Sequence, residues 1–199
     1  MMLIMRKEKY NARTAAKEAS HERIVCAAAR AIRRSGYDGT GVADIMKEAG
    51  LTHGAFYAHF ASREDMLAEA AARACAESAA IAADAAASVP PEQALTYVLH
   101  AYLSRENLEQ LERSCPLAAL GSETVRQTPE VRRVTTRYIK EMVDLVARQS
   151  SDCGQAGVHD RALVTVAAMV GTLLLARVVD EPALSDRLRE AALKHLPIT

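Results

Sequence analysis

Apolar residues in this chain recur every three or four positions, and no strand-length run of Val, Ile and Thr alternates with polar residues. That periodicity predicts helices throughout. The first begins near Ser20, with Ile24, Ala27, Ala28 and Ala31 on one side, and stops at Gly36 after Arg33 and Arg34. Gly suits the position just past a helix, and cations suit its last turn. A YDGTG turn leads to a short helix, Val42 to Ala49, with Val42, Ile45 and Met46 on one face, closed by Gly50. A second short helix, about His53 to His59, takes Thr52 as its N-cap. Ser62 caps a long alanine-rich helix to about Ala86, with Glu64 and Asp65 in its first turn.

Beyond the Pro90-Pro91 break the pattern predicts helices from Pro91 to Ser104, from Cys115-Pro116, from Thr128-Pro129 through Val146, from His159 to Val179 and from Ala183 to His195. RENLEQLER and SSDCGQAG read as connecting segments, and the polar, basic residues 1–17 as a mobile arm. The expected fold is all-α with about nine helices and no strands. It divides into a head, residues 1–67, and a body, residues 68–199, with the boundary inside the long helix.

Composition agrees: of 199 residues 50% are hydrophobic and only 4% aromatic, with no Trp. The net charge is zero but unevenly placed. Residues 1–60 hold 10 Lys+Arg against 6 Asp+Glu, so a basic head sits on an acidic body, which points to a polyanion as the head's partner. The four cysteines form no CxxC or zinc spacing and read as free thiols in a reducing cytoplasm. The start is too short in apolar residues for a secretory leader. The longest apolar run, Ala162–Ala176 between Arg161 and Arg177, falls short of a membrane span and reads as a buried helix.

Both Phe residues lie in GLTHGAFYAHFASREDML, at i and i+4, where one helix face holds them inward. The segment around them reads short helix, glycine turn, short helix, the spacing of a helix-turn-helix. In that geometry Gly54 and Ala55 leave room for base edges, with Ala55 able to meet a thymine methyl. Thr52 and the free N–H groups at the helix start hold a phosphate. Tyr57 and His59 donate to phosphate oxygens, and Thr40, His53 and Arg63 face the duplex beside them. A helical hairpin that binds no DNA has the same spacing.

The stretch GYDGTGVADIMKEAGLTHGAFYAHFASREDML resembles the DNA-binding signature of TetR-family transcriptional regulators, across roughly residues 20–70. The resemblance implies a homodimer on a double-stranded DNA operator, and repression relieved by a small-molecule effector bound in the body. The CPLAALGSE stretch, Cys115 to Glu123, is similar to one branch of that family. Two positions depart from its pattern. Gly41 stands where Ser or Thr is usual, removing a hydroxyl near the backbone phosphates. His53 stands where a basic residue is common, which weakens the phosphate term.

In the body, His100, Tyr102, Cys115, Tyr138, Met142 and Met169 are the candidate pocket residues. Ala167, Ala168, Gly171, Leu174 and Val178, with Leu173, are the candidate dimer face. Glu109 and Glu112 read as a solvated face. Cys115, at a helix start and two residues after Arg113, is also a candidate reactive thiol, making an oxidant- or electrophile-sensing repressor an alternative. A helical carrier or enzyme using the body is a further alternative. However, no paired carboxylates, HExxH, nucleophile elbow or phosphate loop occurs, and His53 and His59 do not share a helix face, so neither catalytic residues, a metal nor a cofactor is expected. The long helix from Ser62 is expected to be the element that touches both head and body and carries any coupling.

Overall fold

The computed structural model describes residues 2–151 and 153–196, with side chains from residue 13 onward. Met1, Asp152 and residues 197–199 of the expected segments lie outside it. Among the described residues there are nine α-helices, two short 3-10 helices and no strand. The α-helices are α1 (Met2–Ser35), α2 (Val42–Glu48), α3 (Arg63–Ala87), α4 (Pro91–Tyr102), α5 (Arg105–Glu109), α6 (Pro116–Thr124), α7 (Pro129–Gln149), α8 (Val158–Val178) and α9 (Pro182–His195).

Three elements differ from the sequence expectation. Helix α1 starts at Met2, not near Ser20, so the segment read as an arm is helical. No Gly or Pro interrupts residues 1–35, and Ala15, Ala16, Glu18 and Ala19 are good helix formers, so a helix nucleated on the head continues outward. Helix α5 occupies part of RENLEQLER; Ser104 caps it, accepting from the Asn107 N–H at 3.1 Å. The element at His53–Ala58 is a 3-10 helix rather than an α-helix. Six residues with Gly54 second form too weak an α-helix, and the Ala55 and His59 N–H groups bond to Thr52 and Phe56, three residues back.

The expected caps are present elsewhere. The Ser62 hydroxyl accepts from the Asp65 N–H at 3.0 Å, and prolines open α4, α6, α7 and α9. Gly36 takes the left-handed conformation, φ 77°, and its N–H closes on the Ile32 carbonyl.

The head core gathers Ile24, Ile32, Tyr37, Ile45, Met46, Phe56 and Phe60 around the start of α3. The two Phe rings stack 5.5 Å apart, pinning the 3-10 helix. Along α3 the packing changes hands: Ala70 and Ala71 belong to the head core, Cys75 to the body core. The body core joins α3 and α4 to α6, α7 and α8 through Leu99, Cys115, Tyr138, Met142, Met169 and Leu173.

Candidate nucleic-acid interface and body cavity

The outer side of α2 and the 3-10 helix is polar and small. Gly41, Ala43, Asp44, Lys47, Thr52, His53, Gly54 and Tyr57 are exposed there, Tyr57 at 72%. Thr52 is the N-cap of the 3-10 helix, and its hydroxyl makes no cap bond. Nothing lies within 4 Å of where a Cβ on Gly54 would project, so the face is open for close approach. Ala55 is half-buried against the head core and offers only part of its methyl outward.

Three residues expected at the duplex are turned inward. Thr40 is 5% exposed, and its hydroxyl donates to the Gly36 carbonyl at 2.7 Å. The Arg63 guanidinium donates to the carbonyls of Tyr37 and Thr40. Thr40 closes the 36–41 turn on itself and Arg63 staples it onto α3, because that turn leaves carbonyls that helices do not satisfy. His59 packs its ring 5.8 Å from that of His21, while His21 stacks on Phe60 at 4.6 Å and meets Glu69 at 2.7 Å. Burial, then the neighbouring His21 and Lys17, lowers the His59 pKa. Its buried Nδ1 has no partner among the described residues. Lys47 is a further exposed cation on this outer face, and its only signal in the sequence is its place on the side of α2 opposite Ile45 and Met46.

In the body, α3, α4, α7 and α8 enclose a cavity of about 460 Å³. Tyr102, Cys115, Tyr138, Met142 and Met169 all line it. His100 does not: it is exposed, two residues from Tyr102 and so on the far side of α4. Ile81, Val98 and Leu145 add to the apolar wall, and Ser78, Glu106, Asn107, Gln110 and Arg113 also line the cavity. The Ser78 and Tyr138 hydroxyls are 2.7 Å apart, with Cys115 Sγ 3.6 Å from the Tyr138 hydroxyl. Burial raises the pKa of both Tyr102 and Tyr138 and pushes the Cys75 thiol up to about 12. Cys115 is 2% exposed, so it sits in the wall rather than at an open mouth.

Helix α6 connects this cavity to the head. Its N-cap, Cys115, and Ala118 pack in the body core, while Leu120 is buried in the head core. One turn on, Glu123 accepts the Tyr37 N–H at 2.8 Å and lies against Gly36, where a Cβ would stand 2.6 Å from its Oε1. Glu112, just before α6, pairs with Arg34 of α1 and is not simply solvated. Glu109 is exposed and pairs with Arg105 at 3.0 Å. Helix α3 is therefore not alone in touching both head and body.

Helix α8, 21 residues, is long and apolar enough by composition to cross a membrane, yet one side of it lies in the body core. Leu173 is on that inner side, fully buried. The other side is an apolar stripe exposed in the single chain: Leu163, Val164 (68%), Ala167, Leu174, Leu175 and Val178 (71%) are exposed, and Ala168 and Gly171 half-buried.

Residues 24–70 match the family model for bacterial regulatory proteins of the tetR family. The HTH-type transcriptional regulator LmrA of Bacillus subtilis (strain 168) is 26% identical over 160 residues, covering 78% of this chain and 85% of LmrA. Among solved structures, a TetR transcriptional regulator from Chloroflexus aurantiacus J-10-FL is 23% identical with a TM-score of 0.77, covering 91% of this chain and 96% of that one. Escherichia coli NemR in its reduced form is 18% identical with a TM-score of 0.76, covering 89% and 94%. Residues 24–70 are therefore a DNA-binding helix-turn-helix head of the tetR family of bacterial regulatory proteins, and the chain carries it on an all-helical body with the fold of the TetR regulators it resembles.

Proposed function

We propose that the chain is a dimeric repressor that binds a palindromic operator and lets go when a small molecule enters the body cavity. The head, residues 1–67, reads DNA through Thr52, His53, Gly54 and Tyr57, with Gly41 beside them. The body, residues 68–199, binds the effector and the second copy. The carrying observation is α6, with its N-cap, Cys115, in the cavity wall and its last turn holding the head by Leu120 and Glu123. A ligand that fits the cavity better when α6 is displaced shifts the population toward a head arrangement that does not fit DNA. The apolar stripe of α8 supports dimerisation, since a contiguous exposed stripe of that kind is covered in soluble proteins by a partner. Among the described residues Glu106 is the one carboxylate in the cavity lining, which favours a binding pocket over an acid–base active site.

The test uses a duplex obtained by in vitro selection and compounds screened for releasing the protein from it. Ala82→Trp, which fills the cavity from α3, should leave DNA binding intact and abolish release. Release that persists with the cavity filled rules the cavity out as the effector site.

A second reading rests on Cys115, whose sulfur lies in the cavity wall. An α,β-unsaturated carbonyl compound entering there would add to it: the C–S bond forms, the conjugated C=C bond is lost, and the thiol proton ends on the α-carbon by way of solvent. Cys115→Ser would then abolish release by such compounds alone. Release that survives this change removes the reading.

A further inference from the structure

The wall of the body cavity holds more hydrogen-bond donors than acceptors. Ser78 of α3, Tyr102 of α4 and Tyr138 of α7 all line it. Burial raises the pKa of both tyrosines, so they keep their protons at neutral pH. Each of the three hydroxyls therefore brings a hydrogen. One hydrogen lies between Ser78 and Tyr138, whose oxygens are 2.7 Å apart. A second has only the Cys115 sulfur, a weak acceptor 3.6 Å from the Tyr138 oxygen. The third belongs to Tyr102, whose hydroxyl is buried and makes no hydrogen bond among the described residues. Rotating these hydroxyls cures nothing, because what is missing is an acceptor, and a buried donor left unpaired is costly.

The rest of the cavity says what kind of molecule brings that acceptor. Besides Ser78 and the tyrosines, the buried part of the lining is Val98, Cys115, Met142, Val146 and Met169. The charged lining residues, Glu106 and Arg113, are exposed, and Gln110 Nε2 donates to the Glu106 carboxylate at 3.0 Å. An ion moving into the buried part would give up its hydration without a counter-charge in that lining. Arg177 stands behind the wall, near Tyr102 and Cys115, donating to the Asn107 and Leu108 carbonyls. From there its charge favours the negative end of a ligand dipole without offering an ion pair. Methionine side chains adapt to flat rings and make favourable sulfur–aromatic contacts.

We propose that the effector is an uncharged aromatic carbonyl compound, its carbonyl oxygen accepting from the Tyr102 hydroxyl and its rings lying among Val98, Met142 and Met169. A small turn of the half-buried Tyr102 ring brings the hydroxyl to the ligand. The inference rests on the reading of this cavity as the effector site. It places the carbonyl beside Cys115, the N-cap of α6, where a ligand acts on the helix that holds the head.

Equilibrium dialysis of the full chain against three probes of similar shape tests this. Benzophenone carries the carbonyl, diphenylmethane has a methylene in its place, and diphenylacetate adds a carboxylate. Affinities are measured for wild type, Tyr102→Phe and Ala82→Trp. Pairing a buried donor with a neutral acceptor changes affinity about tenfold. The ratio of benzophenone to diphenylmethane affinity should therefore be about tenfold higher in wild type than in Tyr102→Phe, a comparison in which the probes' own hydration cancels. Diphenylacetate should bind wild type at least tenfold more weakly than benzophenone. Without ligand, Tyr102→Phe should melt no lower than wild type, because it removes a hydroxyl that bonds to nothing, whereas Tyr138→Phe breaks the Ser78 bond and should melt lower. A ratio that Tyr102→Phe leaves unchanged overturns the proposal, and so does a preference for diphenylacetate. If Ala82→Trp still blocks the neutral probes in either case, the cavity remains a binding site and the effector reading stands. Binding of no probe, or binding that Ala82→Trp does not alter, also overturns the proposal, and the screen for DNA release then decides the effector reading by itself.

Discussion

Replacing Gly36 with Ala should expose the joint between head and body, and Gly50 provides its control. Both glycines are left-handed, φ 77° and 70°, so Ala pays the same backbone penalty at each, about 1–2 kcal/mol. Their surroundings differ. Nothing lies within 4 Å of a Cβ on Gly50, whereas one on Gly36 meets Glu123 Oε1 at 2.6 Å and Oε2 at 2.8 Å. The Glu123 side chain is free to swing aside, but only by releasing the Tyr37 N–H it accepts at 2.8 Å. A hydrogen bond to a charged group contributes about 1.5–3 kcal/mol, and the lower end applies to this partly buried one. Gly36→Ala should therefore be less stable than Gly50→Ala by about 1.5 kcal/mol, roughly tenfold in the unfolding equilibrium. Urea unfolding followed by circular dichroism measures both, and the excess should vanish in a Glu123→Ala background, where no bond remains to break. Equal destabilisation by the two alanines in the Glu123 protein would refute the idea that this carboxylate holds the turn.

Further expectations follow from particular side chains. Tyr57→Phe removes one exposed hydroxyl and should weaken binding severalfold on selected and random duplexes alike; an effect on one alone would assign Tyr57 to base reading instead. Val164→Asp with Val178→Asp puts charge into the α8 stripe and should give a monomer by sedimentation equilibrium with the fold retained; an unchanged mass would place the dimer contact elsewhere. Cys153 is exposed and should be alkylated readily, and Cys75, buried with its thiol pushed up to about 12, more than a hundredfold slower. Equal rates would mean the body core opens readily. His59 has its pKa lowered in the folded head, so as pH falls from about 6.5 the unfolded chain protonates first. The stability that neutral His59 holds at pH 7 is then lost down to its folded pKa. His59→Asn should flatten the wild-type loss of melting temperature between pH 7 and 5; parallel curves would show that His59 does not titrate there.

The helices were legible from periodicity because each buries one stripe, and the caps at Ser62, Thr128 and the prolines marked their starts. What the sequence hid are contacts made across long chain separations. Arg63 looks like a surface donor until the fold brings the carbonyls of Tyr37 and Thr40 within its reach, whereas Thr40 is turned inward locally, by the Gly36 carbonyl four residues back. His59 reads as a phosphate donor until α1 lays His21 over it. Leu120 and Glu123 look like ordinary body residues, yet they belong to the head's core and its turn, more than 80 positions from Tyr37. His100 was misplaced because the register of α4 turns it away from Tyr102. Helix α1 ran past Ser20 because a missing stop signal extends a helix, whereas polar composition alone had suggested an arm.

In vitro selection from a pool of random duplexes at 150 mM salt would show whether the head reads sequence. An inverted repeat should be enriched, its half-sites centred about one helical turn, or a multiple of it, apart. This enrichment should be lost when Thr52 and Tyr57 are both replaced by Ala. A pool that stays random, or enrichment that survives the double replacement, would contradict the assignment of this face as the part of the chain that reads DNA.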